Sequence, residues 1–290
     1  LRRHQRSPRR TPLTRFFRRK AKRNAAVNNM LEASVLDRFR IFSHVLYDDR
    51  PSATVWKVVV QDGSNAALKV YKQAGRGNEA TGVRYLERMG PLAVGIRDQA
   101  GAAVLMDWLE GPTLGDVARA GEADRADAIL AEVAHNLLRT EICASGLTPL
   151  HHFLSPLADI ASGDSTLKYL AELAAQLQND PDTEIALHGD LHHDNICLNN
   201  GEWVVFDAKG IAGVRAYELA NAFRHPRGIP DYVSAPDVIA RRLDIWGRAL
   251  VVAPEKIAKW AAVKIGLSAV WAGKMPEQDR RILDILLAAY

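Results

Sequence analysis

One stretch limits what this chain can fold into more than any other: LHGDLHHDNICLNNGEWVVFDAKG, Leu187 to Gly210. A polar loop rich in His and Asp runs into two short β-rich segments, ICLNN and WVVFD, with Asn199-Asn200-Gly201 between them. Asn-Gly between apolar runs signals a tight hairpin. A hairpin returns the chain to its start. Asn195, just before the first strand, and Asp207, at the end of the second, are therefore expected side by side. The hairpin interrupts a half of the chain that otherwise reads as helices, at Thr113–Ala120, Asp124–Ile142, Leu167–Gln178, Pro236–Val252, Pro254–Ala272 and Pro276–Ala289.

The first third has a different pattern. Leu31, Val35, Phe39 and Phe42 fall at helical spacing between Met30 and His44. Two β-rich runs then surround Asp62-Gly63. A helix is expected over about 78–89, stopped by Gly90-Pro91, and AVGIRDQAGAAVLMDWLEG reads as a second hairpin. The expected fold is α+β and two-lobed. Residues 30–108 form a small antiparallel sheet with one helix, and residues 109–290 a larger, mainly helical lobe. A chain of 290 residues, 48% hydrophobic, suffices for two lobes sharing a cleft.

Residues 1–29 stand apart, with eleven Lys/Arg and no acidic residue. Such a tail is expected to be disordered. The first methionine, Met30, opens MLEASVLDRF like an ordinary protein start, so 1–29 read as upstream sequence and are set aside. Nucleic-acid binding is expected only through this tail. The whole chain has 38 basic and 34 acidic residues, so the remainder is net acidic. No run approaches the roughly 18 apolar residues of a membrane span. Cys143 and Cys197 show no metal or disulfide spacing, which points to a reducing cytoplasm.

The Asp-rich loop suits magnesium-dependent phosphoryl transfer. One carboxylate, Asp190, must reach an acceptor hydroxyl. A hard cation on phosphate oxygens needs oxygen ligands, here Asn195 and Asp207. Lys69 in the strand-like ALKVY and Glu79 at the start of the next helix follow the order of a phosphate lysine and its orienting glutamate. Between the first two strands stands DDRPSATVW with no G-x-G-x-x-G. Ser52 and Thr54 are the candidate phosphate contacts there. The backbone of Met106–Gly111, through Asp107 and Leu109, is the candidate contact for the nucleotide base. A zinc-hydrolase reading through His188, Asp190, His192, His193 and Asp194 would need ligands from later loops, and after residue 194 only His225 remains. On the kinase reading His188 braces the loop, and His192 and His193 are loop or surface residues. The missing glycine loop keeps open a catalytically silent nucleotide-binding regulator.

LHGDLHHDNI, VVFDAKG and AYELA together resemble the aminoglycoside phosphotransferases, and most closely the aminoglycoside/hydroxyurea antibiotic resistance kinases, which include streptomycin 6-phosphotransferases. The resemblance spans about residues 45–225. It implies a two-lobed, protein-kinase-like fold, ATP or GTP with Mg2+, and γ-phosphoryl transfer to a hydroxyl of a small molecule. It implies Asp190 as catalytic base, Asn195 and Asp207 as magnesium ligands, Lys69 on the phosphates and Glu79 as its partner. Gly189 stands where protein kinases carry an arginine, and no A-P-E follows Asp207, so no activation-loop switch is expected. Residues 109–189 hold 13 acidic and 4 basic residues, which suits a cationic acceptor or an ordinary solvated surface. Residues 208–290 are the reverse, with 13 basic and 8 acidic. Asp159, Glu218 and Asp231 are candidates for the acceptor pocket. An ordinary sugar or amino alcohol as acceptor fits the same residues.

Overall fold

Five antiparallel strands open the computed structural model, which describes residues 31–160, 163–179 and 182–289. The basic tail 1–29 and Met30 lie outside the described residues. The strands are β1 (Ile41–Asp49), β2 (Ala53–Val60), β3 (Asn65–Tyr71), β4 (Ile96–Ala100) and β5 (Ala103–Asp107), in the order β1-β2-β3-β5-β4. Gly63, at φ +83°, makes the Asp62-Gly63 turn between β2 and β3. The helical spacing from Met30 to His44 resolves differently from expectation. Only α1 (Ala33–Arg38) is helical, and residues from Ile41 onward form β1. The β-branched and aromatic run IFSHVLY pairs along β2 and leaves Phe42 at 84% exposure instead of on a helix face.

Strand alternation assigns the two faces of the sheet. Trp56, Val58, Leu68 and Leu105 pack with Leu31 and Phe39 on the α1 side. Lys69 faces the other way, paired across the strands with Val55 and Val104. On that side lies α2 (Gly82–Met89), whose Tyr85, Leu86 and Met89 are buried in the main helical core. This helix belongs to the packing of both lobes. A Cβ at Gly82 would collide with the Ala208 carbonyl, so glycine is what lets the helix start approach the D-x-K-G segment.

The helical lobe contains α3 (Leu114–Val117), α4 (Ala123–Arg139), α5 (Leu150–Ala158), α6 (Ser165–Gln178), α7 (Pro230–Val233), α8 (Pro236–Leu250), α9 (Pro254–Ala272) and α10 (Glu277–Leu287). Prolines stand at the first turn of α7, α8 and α9, where their missing N–H has no partner to lose. Gly273, at φ +65°, caps α9. Two small β units lie between the lobes. Strands β6 (Thr148–Pro149), β7 (Ile185–Leu187) and β10 (Ile211–Gly213) form one, with β10 central; the hairpin β8 (Ile196–Asn199) and β9 (Glu202–Val205) forms the other. The hairpin turns at Asn200-Gly201, both at positive φ. It is bonded on both sides, by Val94 N–H to the Val205 carbonyl (2.9 Å) and by Leu198 N–H to the Pro112 carbonyl (3.0 Å). Among the described residues no helix is long and apolar enough to cross a membrane.

The two oppositely charged runs of the sequence meet inside this lobe. Asp127 on α4 is fully buried and binds Arg242 on α8 (Nη2, 2.8 Å), Arg241 (3.0 Å), the Tyr232 hydroxyl (2.8 Å) and His193 of the loop after β7 (2.9 Å). Lys256 pairs with Asp182 and Arg241 with Asp124. Asp124, Asp127 and Asp182 of the acidic run are thus matched by Arg241, Arg242 and Lys256 of the basic run. Removing one partner of a buried charge cluster strands the others, so Asp127→Ala is expected to lower the unfolding free energy by about 3–5 kcal/mol. Asp124→Ala, at the exposed rim, should cost under about 1 kcal/mol. Urea denaturation of the two variants measures the difference.

Candidate active site

Four chain segments contribute charged groups to one cleft between sheet and helices. Lys69 comes from β3, Glu79 from the turn after it, Asp190 from the loop after β7, and Asp207 and Lys209 from the loop after β9. The Lys69 ammonium donates to both the Glu79 and Asp207 carboxylates. Lys209 Nζ donates to Glu79 Oε1 at 2.8 Å and lies 3.5 Å from Asp190 Oδ2. Two lysines and three carboxylates therefore alternate across the lobe junction. Burial alone would lift both aspartate pKa values. The lysines outweigh it: Lys209 holds Asp190 well below the usual carboxylate range, and Lys69 with Lys209 does the same for Asp207. Both lysines are raised in turn despite their burial.

The loop that carries Asp190 is braced from below. Gly189 has φ +78°, and a Cβ there would strike Ile211, so the turn into Asp190 needs glycine. The two oxygens of Glu218 accept the backbone N–H groups of His188 (3.1 Å) and Gly189 (3.2 Å). Burial pushes the Glu218 pKa up to about 7 against the pull of those N–H groups. Glu218 is 1% exposed and a clamp for the loop, not an acceptor-pocket residue as expected. Asp231, on α7, and Asp159, which ends α5, are exposed. His188 is fully buried; its Nε2 meets the Phe206 carbonyl at 3.0 Å, and its Nδ1 accepts from Asp190 N–H at 3.3 Å. Burial pulls its pKa down to about 4, so it stays neutral.

His192 and His193 depart from expectation, since both are buried. His193 is the partner of Asp127, which anchors the loop to α4 and α8. His192 stacks on His225 with ring centroids 3.6 Å apart. His192, Asp194 and His225 converge as a metal trio could, with ligand atoms within 4.8 Å. Their bonds are used internally, however. His192 Nδ1 accepts from Asp194 N–H, and Asp194 Oδ2 lies 3.0 Å from His225 Nδ1. The Arg119 guanidinium donates to Asp194 Oδ1 at 2.7 Å, so both oxygens of this carboxylate have partners within the protein.

Asn195 and Asp207 flank the open end of the hairpin, where Phe206 N–H donates to the Asn195 carbonyl at 3.0 Å. Asn195 Nδ2 donates to the Asp190 carbonyl at 3.0 Å, which leaves its Oδ1 outside that bond. Asp207 has φ +63°, an uncommon conformation for a non-glycine, and gives one oxygen to Lys69 while its side chain remains a third exposed. Two oxygen donors of this kind suit a hard divalent cation.

The remaining candidates are less concentrated. Ser52 lies half-buried in the Arg50–Ser52 turn, its carbonyl accepting from Lys72 N–H at 2.9 Å. Thr54 is paired opposite Val70 and so faces away from Lys69; its hydroxyl accepts from Trp56 Nε1 at 3.3 Å. The Asp107 carboxylate is engaged by Arg97 at 2.7 Å, and its N–H by the Gly95 carbonyl at 2.9 Å. Leu109 is half-buried against the main core. At the same junction Trp108 meets Tyr47 edge-on, centroids 5.1 Å apart, with Lys57 Nζ 4.4 Å from the ring centroid. Sequence reading did not find Asn221, which donates to Asp190 Oδ1 at 2.7 Å, or Lys264, a buried lysine on α9. Burial and its cationic neighbours bring the Lys264 pKa down to about 8.

With this geometry in hand, similarity to known proteins is informative. Residues 38–275 match the sequence pattern of the family described as aminoglycoside/hydroxyurea antibiotic resistance kinase. A streptomycin 3''-kinase of Klebsiella pneumoniae is 32% identical over 228 residues, covering 74% of this chain and 83% of that protein. Among solved structures, aminoglycoside phosphotransferase APH(4)-Ia, in a ternary complex with ADP and hygromycin B, superposes with a TM-score of 0.61 at 12% identity, over 89% of this chain and 98% of that one. Amicoumacin kinase hAmiN, in complex with AMP-PNP, Ca2+ and Ami, gives 0.58 at 13%, over 89% and 92%. At these identities the two structures establish a shared two-lobed, kinase-like fold.

His188 provides a pH test of the loop bracing. Its folded pKa, about 4, lies below the ordinary histidine value near 6.5. The unfolded chain therefore takes up a proton first as pH falls. The stabilising contribution of a neutral His188 is full above about pH 6.5 and declines toward pH 4, by up to about 3 kcal/mol. In His188→Gln that share is absent. The unfolding free energies of wild type and variant should converge between pH 6.5 and 4, as read by urea titration at each pH.

Proposed function

Because the chain belongs to the aminoglycoside/hydroxyurea antibiotic resistance kinase family, a phosphotransferase family acting on hydroxyl groups, we propose that it transfers the γ-phosphoryl group of ATP or GTP to a hydroxyl of a streptomycin-like aminoglycoside. The observation that carries this reading is the convergence of Lys69, Glu79, Asp190, Asn195 and Asp207 in one cleft, from segments 138 residues apart in the case of Lys69 and Asp207. In this reading residues 30–108 form the nucleotide-binding lobe and 109–290 the lobe that holds the acceptor. The unpaired cysteines, with Cys143 exposed, are consistent with a cytoplasmic enzyme.

The protein's part in such chemistry is positioning and charge balance. Asp190 takes the proton of the acceptor hydroxyl, and Lys209 keeps it ionised and ready to do so. Lys69, oriented by Glu79, faces the phosphates. Ser52 offers backbone at the β1–β2 turn, and Thr54 offers backbone only, since its side chain lies on the opposite face. Residues Asp107 to Leu109 supply backbone to the base. Asn195 Oδ1 and the free oxygen of Asp207 would hold a divalent cation, Mg2+ in this reading. Bound there, the cation would supply neutralisation of phosphate charge. ADP in one fold relative and AMP-PNP with Ca2+ in another support nucleotide and divalent-cation use.

A metabolite acceptor is favoured by one observation, the internal pairing of the acidic run with the basic run, which leaves less negative surface for a polycation. A coupled assay with Mg2+ and ATP or GTP against streptomycin, other aminoglycosides, hydroxyurea and simple sugar or amino alcohols, read by product mass, separates the readings. Streptomycin should gain one phosphoryl group. Turnover of a metabolite alone would discard the resistance reading, and tight nucleotide binding without any turnover would point to a silent regulator. Asp190→Ala should lower turnover by roughly 10²–10⁴-fold with nucleotide affinity nearly kept. Asp207→Ala should in addition weaken cation-dependent nucleotide binding, as measured by calorimetry with and without Mg2+.

A further inference from the structure

A single hydrogen-bonded chain runs from the last helix to Asp190. Asp279, near the start of α10, accepts from Arg224 Nη2 at 2.6 Å. Arg224 Nη1 donates to Asn221 Oδ1 at 3.1 Å, and Asn221 Nδ2 donates to Asp190 Oδ1 at 2.7 Å. Ser268 on α9 fixes the guanidinium at 2.7 Å, and Gln278 Nε2 donates to the Arg224 carbonyl at 3.3 Å. Asp279 and Asn221 are 3% and 7% exposed, so water does not easily replace either bond.

The direction of the chain follows from donor chemistry. A guanidinium only donates, so Asn221 must turn its carbonyl oxygen to Arg224. Its NH2 group is then the one that meets Asp190, which fixes an amide orientation that is otherwise ambiguous. Asp190 Oδ1 is committed to this bond. Oδ2, whose nearest cation is Lys209 at 3.5 Å, is the oxygen left to take a proton.

We infer that Asn221 is a positioning residue for Asp190, oriented by Arg224 and Asp279 so that Oδ2 faces the acceptor. The inference rests on the assignment of Asp190 as the base in the proposed function. It gives a role to a segment past residue 275, where the family match ends. A base must be held within about 0.5 Å and 10–20° of its productive geometry, and a displacement of about 1 Å can cost 10²-fold.

Steady-state kinetics on the full chain, with whichever acceptor is turned over, provide the first test. Asn221→Ala should lower kcat by about 10–100-fold, with KM for nucleotide and acceptor within about threefold of wild type. Asp279→Asn, which retains an acceptor oxygen but no charge, should lower kcat by a smaller factor. The double variant should match Asn221→Ala alone, because Asp279 acts only through Asn221. A folded Asn221→Ala with kcat within twofold of wild type would overturn the inference, as would fully additive losses in the double variant.

A second measurement needs no turnover. The side-chain NH2 resonances of Asn221, assigned by their loss in Asn221→Ser, should shift in Asp190→Asn and in Asp279→Asn, and hold still in Asp284→Asn, a change at an exposed position on the same helix. Resonances unmoved by Asp190→Asn would overturn the positioning claim whatever the enzyme phosphorylates. Absence of turnover with shifted resonances would instead count against the proposed function and leave the positioning of Asp190 supported.

Discussion

The ion-pair lattice of Lys69, Glu79, Asp207, Lys209 and Asp190 is the interaction on which the rest of this structure depends. Each lysine touches carboxylates from different segments, so each ammonium is a joint between sheet, turn and loop. Buried charges are costly unless every one has partners. Here the alternation of sign satisfies them, and the surrounding fold is arranged to keep it so. Gly82 lets α2 approach Ala208, and Thr81 ties that helix start to the Gly210 carbonyl at 2.6 Å. Glu218 and His188 hold the Asp190 loop, and Asp127 fastens its far end to α8 through His193 and Arg242.

A second consequence of charge matching concerns what the chain recognises. Acidic and basic residues as far apart in sequence as Asp127 and Arg242, 115 positions, fold onto each other, so net charge along the sequence overstates the field at the surface. Electrostatic attraction of a cationic acceptor must come from the individual carboxylates that remain solvated near the cleft. That is a stricter requirement than an acidic lobe, and it makes acceptor choice a matter of local geometry.

The β8–β9 hairpin was legible because Asn200-Gly201 demands positive φ, and Lys69, Glu79, Asp190, Asn195 and Asp207 were legible because their order along the chain is informative by itself. The helix α5 was not expected, although Leu150, Phe153, Leu154 and Leu157 recur at helical spacing, because Pro156 argues against a helix. Strand β1 was misread for the opposite reason. Four apolar residues happened to fit a period of 3.6 across what is a helix end followed by a strand. Asn221, Arg224 and Asp279 could not be found from one sequence, and Glu218 was singled out for the acceptor pocket and not as the clamp of the Asp190 loop. Their meaning lies in contacts between segments 29 to 55 residues apart, and a lone Asn or Arg in a helical stretch carries no local mark of such a contact. Burial of His192 and His193 was hidden likewise, since their partners lie on other elements.

The hairpin between Asn195 and Asp207 also ties the sheet to the helical lobe at one corner. It is bonded by backbone to the strand lead-in at Val94 on one side and to the connecting segment at Pro112 on the other. Rotation of the whole sheet about the linker would break the Val94–Val205 bond, whereas the Pro112 bond, within the helical lobe, would survive it. The far corner, formed by β1, β2 and the Arg50–Ser52 turn, is an edge of the sheet whose Phe42, Val45 and Tyr47 stand exposed. While the Val94–Val205 bond holds, the sheet can move against the helical lobe only by twist and flexure toward its β1–β2 edge, away from the charge lattice.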